Sequence, residues 1–289
     1  MRWCKVELVC SSENVSAIEE ILFAIGSISI SITNKSKQNI YEPRVGEIPL
    51  WDVVNINALF EQKVLEKDIS LALNLVNYSN LSISELEEIN WIEAYQKKFQ
   101  PIKFGNNLYV VPSWDESNKF DDKTIIKMDP GLAFGSGSHE TTHLCLEYLS
   151  TSNLRELTVI DYGCGSGILG IAALLLGAKN VLAIDIDKQA LLATKENARK
   201  NFIESQIITV FPKDTPRTKG DIVIANIFMN SLIELKEKFI ELMHSNTVLV
   251  VSGVLDNQLD FFLENYSIEF DLLTFKKKNE WCLLEFKKH

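Results

Sequence analysis

The chain has 289 residues, 46% of them hydrophobic and 24% charged, an ordinary globular composition with more length than one domain usually takes. Its 39 acidic residues against 29 basic ones leave a net charge of −10, which excludes a fold-wide basic footprint for nucleic acid and favours basic partners instead. Five scattered cysteines without a Cys-x-x-Cys pair argue against a disulfide framework or zinc knuckle, and no apolar run approaches the ~20 residues a bilayer requires.

The N-terminus, Met1-Arg2-Trp3-Cys4-Lys5, lacks a signal-peptide core, so a cytoplasmic protein is expected. Trp3–Cys10 alternates as a strand. Asn14–Ile25 has helical spacing through Val15, Ile18, Ile21, Leu22 and Ile25, and Gly26 stops it. Isoleucines at 28, 30 and 32 mark a second strand over Ser27–Thr33. After a polar stretch with Pro43, Gly46 and Pro49 come a strand (Val53–Phe60), a helix (Val64–Leu75) and a strand (Leu81–Leu86). This βαββαβ order predicts a small ferredoxin-like α+β domain over residues 1–87.

Residues 88–120 read as a linker, with an amphipathic helix from Trp91 to Phe99, a strand over Leu108–Val111 and Pro112-Ser113-Trp114. From 121 to 289 the pattern changes to an α/β alternation. Short apolar strands at Val159–Asp161, Val181–Asp185, Ile222–Asn226 and Val248–Ser252 alternate with helical stretches at 167–177, 188–201, 229–244 and 256–265. That is the signature of a parallel sheet covered on both faces. Ile268–Phe275 and Trp281–Phe286 form a terminal hairpin across Lys276–Glu280, whose lysines read as a solvated turn.

The strongest local feature is Val159-Ile160-Asp161-Tyr162-Gly163-Cys164-Gly165-Ser166-Gly167-Ile168-Leu169-Gly170, a buried strand running into a glycine turn that opens a helix. Glycines let a backbone approach a ligand closely at a helix N-terminus. The next strand ends at Asp185, placed to accept both ribose hydroxyls of an adenosine. Gly165-x-Gly167-x-x-Gly170 matches the dinucleotide fingerprint literally. Asp161 and Gly163-x-Gly165 precede it, however, an arrangement familiar from S-adenosylmethionine enzymes, in which a carboxylate faces a cationic methionine end. A pyrophosphate would be repelled there.

His139-Glu140-Thr141-Thr142-His143 is formally the H-E-x-x-H of zinc proteases. The loop residues Phe134–Ser138 just before it place His139 in the first turn of a helix, and threonines stand where an apolar face is needed. No metal is expected, and a loop-to-helix transition that binds something polar is the preferred reading.

Met128-Asp129-Pro130-Gly131-Leu132-Ala133-Phe134-Gly135-Ser136-Gly137-Ser138-His139-Glu140-Thr141-Thr142, with the glycine loop after it, closely resembles the bacterial ribosomal protein L11 methyltransferases (PrmA family). Trp91…Tyr95…Phe99-x-Pro101, Ala225-Asn226-Ile227, Ser252-Gly253-Val254-Leu255 and Glu280-Trp281-Cys282 are similar to the same family, so the resemblance covers nearly the whole chain. It implies a Rossmann-like seven-stranded methyltransferase sheet over 121–289 and a substrate-recognition role for 1–87. It implies S-adenosylmethionine as cofactor, contacted by Thr142, Gly163, Asp185 and Asn226, with Asp161 and Gly165 in the same loop. Phe134 to Gly137 would close over the methionine and substrate, with Phe134 and Asn226 at the catalytic centre. The implied partner is ribosomal protein L11, free or ribosome-bound, methylated on lysine side chains, the N-terminal α-amine or both. A monomer with no direct nucleic-acid target and no membrane association is expected. Ser136 and Ser138 replace commoner threonines, Glu140 stands where proline is frequent, and Asn226-Ile227-Phe228-Met229-Asn230 carries bulkier residues than usual.

An amine acceptor must be neutral to attack, and no dedicated base stands out in the sequence. Asn226, at a strand end, offers an amide oxygen to an amine N–H. DNA and glutamine methyltransferases carry Asn-Pro-Pro-Tyr at this strand end, whereas this chain reads Asn226-Ile227-Phe228-Met229.

Overall fold

The computed structural model describes residues 3–36, 49–86, 100–115, 122–129 and 139–289. The helix expected over Trp91–Phe99 and the segment containing Phe134 lie outside the described residues. The chain divides into two units, Met1–Lys97 and Lys98–His289.

In the first unit, alternation decides the sheet. β1 (Trp3–Ser11) and β3 (Val53–Phe60) send Cys4, Val6, Leu8, Val54, Ile56, Ala58 and Phe60 into one buried layer. β2 (Ser29–Asn34) and β4 (Ser79–Leu86) flank them in the order β2-β3-β1-β4. Every described pair in this sheet is antiparallel. Helix α1 (Val15–Ala24) presents Val15, Ile18 and Leu22, and α2 (Glu66–Ala72) presents Ile69 to the same core. Each such side chain removed from water stabilises the unit by roughly 1.5–3 kcal/mol. Gly26, at φ 99°, turns the chain out of α1 in a conformation that suits glycine.

In the second unit, β5 (Ile102–Phe104), β6 (Leu108–Val111) and β7 (Thr124–Lys127) form a small sheet. Of these, only β6 is among the strands expected from the sequence, where Leu108-Tyr109-Val110-Val111 is an unbroken β-favouring run. Asn201 staples β7 to the body of the unit, its amide exchanging hydrogen bonds with the backbone of Lys127 at 2.8 Å in both directions.

The main sheet has seven strands. They are β8 (Thr158–Tyr162), β9 (Asn180–Ile184), β10 (Ile207–Val210), β11 (Gly220–Asn226), β12 (Met243–Leu255), β13 (Phe270–Lys278) and β14 (Trp281–Lys288). Their order is β10-β9-β8-β11-β12-β14-β13. The first five run parallel, and β14 pairs antiparallel with both β12 and β13. Helices α3 (Glu140–Thr151), α4 (Ile168–Leu175), α5 (Lys188–Lys200), α6 (Met229–Glu234), α7 (Lys236–Glu241) and α8 (Leu259–Tyr266) pack against it. Among the described residues no helix is long and apolar enough to cross a membrane.

Two differences from the sequence reading have physical causes. The single helix expected over 229–244 is two short ones, α6 and α7, and Met243 pairs with Gly220 as the first residue of β12. Leu242 and Met243 fit a helical period equally well, and tertiary pairing decides between the two. β10 has no counterpart among the expected strands. It is a four-residue edge strand whose Ile208 points to solvent, too short to show a period.

Candidate active site

Chain order places β9 and β10 on one side of β8, and β11 and β12 on the other. β8 and β11 therefore flank the topological switch point, where a crevice opens outside the carboxyl ends of the strands. Tyr162, the last residue of β8, sits opposite Ala225 of β11. Gly163 and Asn226 consequently come next, side by side on the two central strands.

The glycine loop is tied down by its own backbone. The Gly163 and Cys164 amides both donate to the Ile184 carbonyl, at 2.8 and 3.1 Å. Gly165 donates to Asp185 Oδ2 at 2.9 Å, and Gly167 donates to the Cys164 carbonyl at 2.7 Å. Gly163 has φ 74°, and a Cβ there would collide with the Ile227 side chain, so glycine is required on two grounds. Thr194 and Asn197, on α5, hold the loop from outside through the carbonyls of Gly165 and Ser166.

Asp185 lies just past β9. One carboxylate oxygen accepts the Gly165 amide and the other accepts the Asp187 amide at 2.9 Å. A carboxylate has about four lone-pair sites, so each oxygen keeps acceptor capacity for a vicinal diol. Asp187 caps α5 by accepting the Gln189 amide.

Asp161 stands one residue before the end of β8. Its side chain is 1% exposed, and Oδ2 accepts the Gly170 amide of α4 at 2.9 Å. This bond ties the end of β8 to the first turn of α4. Burial, with some help from the neighbouring charge of Asp185, pushes its pKa up to about 7, against the opposing hydrogen bond from Gly170. Between about pH 4 and 7 the unfolded chain has lost this proton while the folded chain keeps it. Stability of the ligand-free protein therefore falls as pH rises through that window. Asp161→Asn keeps an acceptor for Gly170 and carries no charge. It is expected to flatten this dependence and to melt higher than the parent at about pH 8. Parallel melting curves for the two proteins against pH would contradict that expectation.

Thr142 is buried in the first turn of α3, and its Oγ1 receives Asn226 Nδ2 at 3.3 Å. Gly163, Gly165, Asp185, Thr142 and Asn226 thus converge on one edge of the sheet. Sequence reasoning missed Ile227 and Gly253. Gly253 has φ 97°, and a Cβ there would strike the Ile227 carbonyl. Ile227 is wedged between the ends of β8 and β12, and it fixes the backbone that carries Asn226.

The histidines of the protease-like pentapeptide have separate partners. His139 caps α3 through Nδ1 and lies edge-on to Trp281, whereas His143 meets Glu147 at 3.1 Å and packs on Phe104. Among the described residues no group of three His, Cys, Asp or Glu side chains has the geometry of a metal site.

The edge is suited to a nucleoside with a cationic end. The amides of Gly163, Cys164, Gly165, Gly167 and Gly170 are already used by protein acceptors, so they offer no cradle to a pyrophosphate.

A family model described as ribosomal protein L11 methyltransferase (PrmA) matches residues 2–289. The chain belongs to the ribosomal protein L11 methyltransferase family. It is 38% identical to such a protein from Vibrio cholerae serotype O1, over 100% of this chain and 99% of that one. It is 39% identical to one from Pseudomonas paraeruginosa, over 97% of each. A crystal structure of a ribosomal protein L11 methylase from Lactobacillus delbrueckii subsp. bulgaricus superposes with a TM-score of 0.61 at 34% identity, covering 66% of this chain and all of that one. Family membership makes the protein an S-adenosylmethionine-dependent methyltransferase with the Rossmann-like sheet expected of that class.

Proposed function

We propose that the protein transfers methyl groups from S-adenosylmethionine to amino groups of ribosomal protein L11, on lysine side chains, the N-terminal α-amine or both. The observation that carries this reading is the convergence of Asp185, Gly163 and the Asn226–Thr142 pair on one sheet edge, in a chain of this family. When bound, S-adenosylmethionine supplies an electrophilic methyl group on a sulfonium. Asp185 binds the ribose hydroxyls, and Thr142, Gly163, Gly165 and Asn226 line the remainder of the cofactor, with Asp161 holding the loop behind them. Positioning for in-line attack then carries much of the rate.

With Nδ2 given to Thr142, Oδ1 of Asn226 is the atom that accepts an N–H of the incoming amine and aims its lone pair. A lysine amine of pKa ~10.4 must arrive neutral, and transfer to a less polar edge lowers that value. Phe134 is the second residue we assign to the catalytic centre, on the family resemblance alone. Residues 1–87 recognise the ribosomal protein, 88–120 link, and 121–289 catalyse. The enzyme works in the cytoplasm as a monomer and has no nucleic-acid target of its own.

Amine acceptance is tested with L11 whose amino groups have been chemically acetylated. Labelled S-adenosylmethionine is expected to transfer methyl to untreated L11 and none to the acetylated protein. Undiminished labelling of acetylated L11 would place the acceptor on another side chain.

A further inference from the structure

The turn between β13 and β14 is tied to both elements that carry the Thr142–Asn226 pair. β14 runs antiparallel to β12, with Trp281 opposite Leu255, so the two-residue turn Asn279-Glu280 stands at the carboxyl edge of the sheet. Asn279 has φ 53°, a left-handed conformation that asparagine tolerates and glycine favours. On one side the turn is held by the residue after β12. The Asp256 amide donates to the Glu280 carbonyl at 2.8 Å, and the Asp256 carboxylate accepts from Lys277. β12 in turn packs Gly253 against Ile227, the neighbour of Asn226. On the other side Asn279 Nδ2 donates to Glu140 Oε1 at 3.2 Å, and Trp281 meets the ring of His139. His139 is the N-cap of α3 and Glu140 its first residue, two before Thr142. Helix ends fray unless they are held, and Glu140 lacks the fixed φ that proline brings to a first helical position. Contacts from outside the helix therefore carry more of the placement of this turn.

We propose that Asn279 is a positioning residue for the cofactor site: its hydrogen bond to Glu140 sets the first turn of α3 so that Thr142 meets both Asn226 and S-adenosylmethionine. The proposal rests on Thr142 as a cofactor contact. A turn linked to α3 and to the end of β12 fixes the two members of the pair against each other before the cofactor arrives. Binding then costs less conformational ordering, which is how preorganisation raises affinity. Without the Asn279 side chain the turn keeps its hold on Asp256 and loses its polar hold on Glu140. Thr142 is then ordered less well against Asn226, and the cofactor has to restore that order on binding. Both partners are exposed, so the loss falls on affinity rather than on folding.

The test uses the full-length protein, with S-adenosylmethionine titrated by calorimetry and each variant melted without ligand. Asn279→Gly keeps the left-handed turn and removes only the amide. It is expected to weaken cofactor affinity about three- to fivefold, with a melting temperature within about 2 °C of the parent. Glu140→Ala should show a similar loss, whereas Glu140→Gln, which keeps an acceptor oxygen, should stay within about twofold of the parent. The Glu140→Ala/Asn279→Gly double variant should bind no more weakly than either single one. Thr142→Val, which keeps the shape and removes the hydroxyl, should weaken binding roughly tenfold, and adding Asn279→Gly to it should weaken it no further. Parental affinity in Asn279→Gly overturns the proposal. So do additive losses in either pair, a Glu140→Gln as weak as Glu140→Ala, or an Asn279→Gly that melts about 5 °C or more below the parent. Unchanged affinity in Thr142→Val removes Thr142 from the cofactor site and the proposal with it. A weakened Thr142→Val beside a parental Asn279→Gly leaves Thr142 in place and overturns the role of Asn279 alone.

Discussion

Replacing Asp185 with alanine is expected to weaken S-adenosylmethionine binding by roughly 10- to 150-fold, the equivalent of losing ~1.5–3 kcal/mol of charge-assisted hydrogen bonding. Two losses combine in this figure. The ribose hydroxyls lose their acceptor, and the amides of Gly165 and Asp187 lose the carboxylate that orders them. Asp185→Asn separates the two, because its single amide oxygen can retain one backbone contact while the charge is gone. Calorimetric titration of both variants gives the comparison. Unchanged affinity in Asp185→Ala would remove this residue from the cofactor site.

Gly253→Ala should damage both the fold and the site. The position is left-handed at φ 97°, and the added methyl would meet the carbonyl of Ile227, a backbone atom that cannot yield without moving Asn226. Strain of this kind costs on the order of 3 kcal/mol. In a unit of this size that corresponds to a fall in Tm of roughly 6–12 °C. Cofactor affinity is expected to fall with it, since Asn226 adjoins the displaced residue. A melting temperature and an affinity both equal to the parent's would show that the end of β12 does not brace the end of β11.

How much the chain discloses of itself depends on how local each feature is. The glycine loop and Asp185 lie within one strand-turn-helix-strand stretch, so their association is legible from spacing alone. Thr142 and Asn226 are 84 residues apart, and only the family resemblance suggests that they share a site. The wedge of Ile227 against Gly163 and Gly253 depends on β8, β11 and β12 being neighbours, an order that periodicity does not encode. Asp161 shows the same limit in another form. Its place ahead of the glycines marks it as important, yet its bond to the Gly170 amide across the turn is not legible from spacing. In the fold, the long apolar strands are plain, whereas β5, β7 and β10 are three or four residues each and lack a pattern that separates them from the loops around them.

The most direct measurement of the central claim is incubation of the full-length protein with tritium-labelled S-adenosylmethionine and purified unmodified L11, read by intact mass as well as label. The account predicts mass increments of whole methyl groups on L11, matched by incorporated tritium and dependent on Asp185. Cofactor binding confirmed in the same preparation, with no label and no mass change on L11, would contradict it.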